Sequence, residues 1–148
     1  MMHRANRVAL GLLELFVVLT AVQGAIFVIP NLPAAWIKGT PFADYTIPAL
    51  ALGIGCGGAS LMAGLAVMFR PLLGAALSVM AGVVMIGFEL VEIGVVGFAL
   101  ATYGPGTPQA WLQVIYLAVG TAITLLGFRL LLAEGATTVR RLGNAWGA

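Results

Sequence analysis

Prolines and glycines cut this chain into four apolar runs, each long enough to cross a bilayer, and that segmentation leaves few folds open. The first run follows a basic leader, Met1-Met2-His3-Arg4-Ala5-Asn6-Arg7, and extends from Val8 to Ile29, where Pro30-Asn31-Leu32-Pro33 stops a helix. It exceeds a secretory h-region of about 7 to 15 residues and ends without a small-x-small cleavage site, so it reads as a span. The second run goes from about Ile47 to Phe69 and halts at Arg70-Pro71. Pro71 suits the first turn of the next helix, which makes that connection very tight. The third covers about Leu72 to Leu100, before the turn residues Tyr103-Gly104-Pro105-Gly106-Thr107-Pro108. The fourth runs from about Ala110 to Leu132, with a polar tail carrying Glu134, Arg140 and Arg141.

Composition agrees: 61% of residues are hydrophobic and 8% charged, against roughly 25% charged in soluble domains. The 148 residues hold four spans of ~20 residues with short connections and no separate soluble domain. The expectation is an all-α integral membrane four-helix bundle, one transmembrane domain over 1–148. Its spans are expected at about 8–29, 47–69, 72–100 and 110–132.

Charge orients such a bundle. Arg4, Arg7, Arg70, Arg129, Arg140 and Arg141 fall on one side of a four-span arrangement and only Lys38 on the other, so both termini are expected in the cytoplasm. The expected location is the cell (cytoplasmic) membrane, multi-pass. The connection holding Trp36, Lys38, Asp44 and Tyr45, and that from Tyr103 to Trp111, then face outward. The net charge of +2 reflects scattered topology signals rather than a nucleic-acid surface.

Small residues signal helix contacts, because apolar side chains gain little by leaving lipid for one another. Gly53 and Gly57 make a GxxxG step, and Gly74, Ser78 and Gly82 make a second ladder. Both are expected to join the second and third helices, with an oligomer interface as the alternative.

Five acidic residues are present, and Glu89 and Glu92 lie three apart inside the third apolar run. A carboxyl at membrane depth costs about 2.5 to 3.5 kcal/mol even on the lenient insertion scale, so it is kept for a partner or a task. At ~1.5 Å per residue, Glu14 lies about 9 Å from the cytoplasmic end of the first helix, within partial reach of headgroups. Gln23 lies roughly 22 Å along the same helix, and the glutamate pair ~25 to 30 Å along the third. Gln113 and Tyr116, in the opening turns of the fourth helix, share that level, with Asp44 and Tyr45 just above.

Glu89 and Glu92 share a helix face, since i and i+3 side chains are neighbours. An outward-facing polar pocket built from all four helices follows. Gln23, Asp44, Tyr45, Gln113 and Tyr116 are its candidate ligand-binding residues.

Three readings compete. In the first, Gln23, Gln113 and Tyr116 hydrogen-bond protonated glutamates, and the protein has a structural, accessory or hydrophobic-ligand-binding role. In the second, Glu89 and Glu92 are catalytic, one keeping a proton as general acid while the other is a base or steadies a cation. A lipid-soluble substrate undergoing isomerisation, cyclisation or epoxide opening suits that site. In the third, the carboxyls serve proton- or cation-coupled transport, against which stands the lack of a polar relay towards Glu14 and of a plain internal repeat.

Other chemistry has little to stand on. His3 is the sole histidine and Cys56 the sole cysteine, so a His-based metal site, a Ser-His triad or an intramolecular disulfide finds no components, and neither metal nor cofactor is expected. Gly53 to Gly58 lacks the Lys and Ser/Thr of a phosphate loop and reads as packing. Met62, Met68, Met80 and Met85 fit lipid-facing or core positions. Lys38 and Asp44 are near enough to pair in the outer loop. The expected partners are membrane lipid, a hydrophobic small molecule, and further copies or a larger membrane complex; nucleic acid is not among them.

The stretch Gly39-Thr40-Pro41-Phe42-Ala43-Asp44-Tyr45-Thr46-Ile47-Pro48-Ala49-Leu50, the Glu-bearing third helix and Trp111-Leu112-Gln113 followed by Tyr116 resemble a group of small bacterial four-span integral membrane proteins described only as uncharacterised. The resemblance covers most of the chain and implies the four-span fold. Those chains tend to read Pro-Gly-Leu where this one has Pro48-Ala49-Leu50, and the doublet Glu89 and Glu92 departs from them. The outer segment has its own physics: Pro41 and Pro48 restrict it, Phe42 and Tyr45 supply interfacial anchors, and Asp44 is placed to cap the incoming helix.

Overall fold

A computed structural model describes residues 2–97 and 108–146, and its regular structure is helical, with no strand among the described residues. Helix α1, Met2–Gln23, continues through a π-helical turn, Gly24–Val28, and a 3-10 turn, Ile29–Asn31. The prolines end it as expected: after Pro30 the backbone is extended at Leu32. A second 3-10 turn, Ala34–Ile37, and a loop lead to α2, Thr46–Leu50. The chain then passes through a π-helical stretch, Ala51–Gly58, into α3, Ala59–Phe69, as one rod. Glycines at 53, 55, 57 and 58 fall within this wider-wound stretch. Arg70 makes the tight turn, and α4, Pro71–Val96, starts with its proline in the first turn. Helix α5 spans Pro108–Trp146.

Four stretches are long and apolar enough to cross a membrane: Arg4–Asn31, Thr46–Phe69, Pro71–Val95 and Trp111–Thr137. Three boundaries differ from expectation, the first being that α1 starts at Met2 and takes in the basic leader ahead of Val8. Helix α4 closes at Val96 instead of reaching Leu100, because Gly97 adopts φ +87° and returns its amide to Ile93 O at 2.9 Å. The expected turn at Tyr103–Thr107 lies outside the described residues. Helix α5 runs on for 39 residues, about 58 Å at 1.5 Å per residue against ~30 Å of hydrocarbon. The tail expected to be merely polar is helical, since no proline follows Pro108 and Ala133, Glu134 and Ala136 favour the helix.

Three of the rods bury a seam with alternating three- and four-residue spacing. On α1 it is Leu10, Glu14, Val17 and Ala21; on α4, Ala75, Ser78, Gly82, Met85 and Glu89; on α5, Gln113, Tyr116, Gly120, Ile123, Gly127 and Leu130. That 3.5-residue repeat is the knobs-into-holes pattern of a left-handed bundle.

The small residues close different joints from those expected. The Gly53 and Gly57 step meets the first rod: a Cβ on Gly53 would stand 3.0 Å from Ala25 Cβ, in the π-helical turn, and one on Gly57 3.4 Å from Ala21 Cβ, in α1. Gly74 does meet the second rod, at the Ala66 and Val67 backbone, but Gly82 meets α5, where a Cβ would lie 2.6 Å from Gly120 O. A rod with neighbours on two sides needs small residues on both, so one ladder serves two joints.

Arg7 ties the arginine-rich end together. Its Nε and a terminal guanidinium nitrogen donate to Val67 O at 3.1 Å and Met68 O at 2.7 Å, satisfying carbonyls at the end of α3.

Candidate functional site

At the opposite end, towards the Lys38 loop, the four rods part around a cavity of about 390 Å³. The two π-helical segments border it, with Gly24 and Val28 on one wall and Ala51 and Leu52 on the facing one. They also touch: a Cβ on Gly24 would come 2.9 Å from Leu52 Cδ2. The absence of a side chain at Gly24 permits this close approach beside the opening.

The walls are mostly apolar, and Phe42, Tyr45, Phe88 and Tyr116 provide aromatic surface. Glu89 and Glu92 both line the cavity on α4, close enough to interact electrostatically. Glu89 is buried, 2% exposed, and its Oε2 has no hydrogen-bond partner. Glu92 is half-buried, and its Oε1 accepts from Gln113 Nε2 at 2.9 Å. Gln113 reaches from α5 and also donates to Gly97 O at 3.4 Å, tying the pair's helix to its C-terminal turn. The two carboxyls are thus one turn apart with different hydrogen bonding. Such inequality allows neighbouring acids to take different protonation states.

Six of the seven residues singled out from the sequence meet at this cavity: Gln23, Tyr45, Glu89, Glu92, Gln113 and Tyr116 line it. Asp44 does not. Its Oδ1 accepts from Thr46 N at 2.8 Å in an Asx turn leading into α2, which leaves it exposed and outside the wall. The amide hydrogen bond holds its carboxyl below the ordinary aspartate range. This local contact takes the place of the anticipated pair with Lys38. Gln23 lines the wall but hydrogen-bonds neither glutamate, and Tyr116 packs its ring against Phe16 at 6.5 Å between centroids. Of the three expected amide and hydroxyl partners, Gln113 is the one that bonds the pair. Tyr45 donates its hydroxyl to Pro33 O at 2.7 Å, fastening the loop over the cavity.

Sequence depth did not tell which way Glu14 faces. It is 1% exposed, in the seam opposite Gly64, with the Ser60 and Ser78 hydroxyls as polar neighbours from α3 and α4. Those hydroxyls stand near the carboxyl without closing a hydrogen bond, for Glu14 Oε1 and Oε2 and Ser78 Oγ all lack a partner. The detectable signal is phase, since Glu14 keeps step with Leu10, Val17 and Ala21. A groove of about 850 Å³ between α1 and α3 passes Glu14, with Arg4, Arg7 and Glu134 at its end.

Among the described residues no three His, Cys, Asp or Glu side chains gather where a metal ion would sit. Cys56 is a free, buried thiol. The chain matches no family model, no curated protein and no solved structure.

Proposed function

We propose that this chain is a four-span protein of a cytoplasmic membrane, with both termini in the cytoplasm, that holds a lipid-soluble small molecule in its outer half. The carrying observation is an apolar, aromatic-lined cavity of about 390 Å³ with an unsatisfied buried carboxylate oxygen, Glu89 Oε2, in its wall. A bundle that used its glutamates only to fasten helices would close this space and complete their hydrogen bonding. Large apolar side chains on the outward faces, including Leu12, Leu19, Ile54, Phe69, Met80 and Leu125, support the membrane setting. The arginine bias towards the other end supports the orientation.

Mass spectrometry of the purified protein tests the proposal. A stoichiometric apolar molecule is expected in the wild type and lost on filling the cavity by Ala51→Phe; recovery of the same molecule from both proteins overturns it.

Acid-base catalysis on the bound molecule is a second reading, favoured by the unequal hydrogen bonding of Glu89 and Glu92. One carboxyl would deliver a proton while its neighbour removes one or steadies positive charge. Glu89→Gln and Glu92→Gln should then each abolish turnover of the copurified molecule even when it is supplied at saturating concentration. Unchanged turnover removes catalysis and retains the binding role.

A further inference from the structure

From the chemistry of the cavity wall we infer that its ligand is a lipophilic organic cation, an ammonium-type head on an apolar body, seated with the head at Glu89 and Glu92. This inference rests on the proposed ligand-binding role and adds the charge of the ligand to it.

Three features point the same way. The wall holds the two carboxyls of Glu89 and Glu92, whereas Lys, Arg and His are missing from it among the described residues. Lys38 follows the wall residue Ile37 but is exposed and is not part of the wall. A ligand bearing positive charge therefore supplies the counter-charge that the protein does not place there, and an anionic ligand meets like charge in a low dielectric.

Hydrogen bonding around the acids is incomplete on one side. Gln113 engages Glu92 Oε1, while Glu89 Oε2 has no partner although Glu89 is 2% exposed. A carboxylate so desolvated gains most from a charged partner.

The surrounding surface suits a greasy cation better than a hydrated one. Phe42, Tyr45, Phe88 and Tyr116 offer rings whose faces attract alkylammonium groups, and the remaining wall is aliphatic. A small inorganic cation asks for several oxygen ligands, and this wall gives it few.

The test compares three probes of matched shape on the full chain in neutral maltoside micelles. They are an arylalkyl-trimethylammonium, its carbon isostere with a tert-butyl head, and the corresponding sulfonate, titrated calorimetrically. The ammonium should bind at least about tenfold more tightly than the isostere, and the sulfonate more weakly than both. In Glu89→Gln the ammonium's advantage should fall towards parity while isostere affinity stays within about twofold. Equal affinity of wild type for ammonium and isostere overturns the cation inference and leaves the binding role standing. Failure of all three probes to bind overturns the binding role itself.

Because the wild-type comparison needs no substitution, a poorly folding variant does not blunt it. Repeating the titration with added phosphatidylcholine identifies the source of the head. Competition assigns a lipid headgroup, and undiminished probe affinity assigns a free lipophilic cation.

Discussion

Two buried acidic places lie in one bundle, and they are built differently. At the arginine-rich end Glu14 stands alone in the α1 seam, its carboxyl oxygens sealed and its neighbours reduced to Ser60 and Ser78. At the other end Glu89 and Glu92 stand together, Glu92 bonded to Gln113 across the α4 and α5 joint, and both border open apolar space with aromatic walls. Burial alone therefore does not mark a site. A groove also passes Glu14, so what separates the two is the second acid and the aromatic wall that stand beside Glu89.

Steric substitutions should separate them most. Gly64→Leu places a side chain against Glu14, whose Cβ is 3.2 Å from where a Cβ at 64 would begin, and overpacking of that kind costs about 1–3 kcal/mol. Ala51→Leu, in the cavity wall, should leave thermal stability nearly unchanged while weakening ligand binding. Equal losses of melting temperature in the two variants would erase the distinction drawn above.

The next largest effect should come from neutralising the inner acid. Glu14→Met removes two unsatisfied buried oxygens at similar volume, and stability should rise by about 1 kcal/mol in denaturation measurements. A loss instead would reveal a hidden task for Glu14 and bring the two places closer in kind.

Gln113→Leu tests the cross-helix bond on the outer side. It removes the 2.9 Å contact to Glu92, and interhelical hydrogen bonds in membranes average about 0.6 kcal/mol, so a small fall in stability should accompany altered ligand affinity. If affinity is untouched, the amide serves the α4 and α5 joint alone.

The smallest effect concerns the loop above the cavity. The Thr46 amide lowers the Asp44 carboxyl from its ordinary value, so its stabilising contribution is full at neutral pH and disappears as pH falls through the lowered folded value. Melting temperatures of wild type and Asp44→Asn should differ slightly at neutral pH and converge in strong acid. A gap that widens on acidification reverses the assigned sign.

Much of the outer site was legible because depth along a helix follows from counting. Gln23, Glu89, Glu92, Gln113 and Tyr116 reach one level by rise per residue alone, and the cavity gathers them. Counting left the facing of Glu14 open, since depth says nothing of which way a side chain points. It also assigned Asp44 to the site from nearness in sequence, whereas a two-residue hydrogen bond to Thr46 turns it into a loop fastener. Gly82 shows the same limit: a small residue announces a close joint without naming the partner, here Gly120 and Thr124.

By itself the sequence determined four long apolar helices, their main breakers and the rarity of acids among them, because hydropathy and proline geometry act locally along the chain. Only the tertiary structure decided that two π-helical segments meet beside open space, that Gln113 takes Glu92 and leaves Glu89 Oε2 unsatisfied, and that Glu14 turns inward. Those outcomes depend on register between helices, where packing and hydrogen-bond geometry across rods select among arrangements that a single apolar pattern leaves equal.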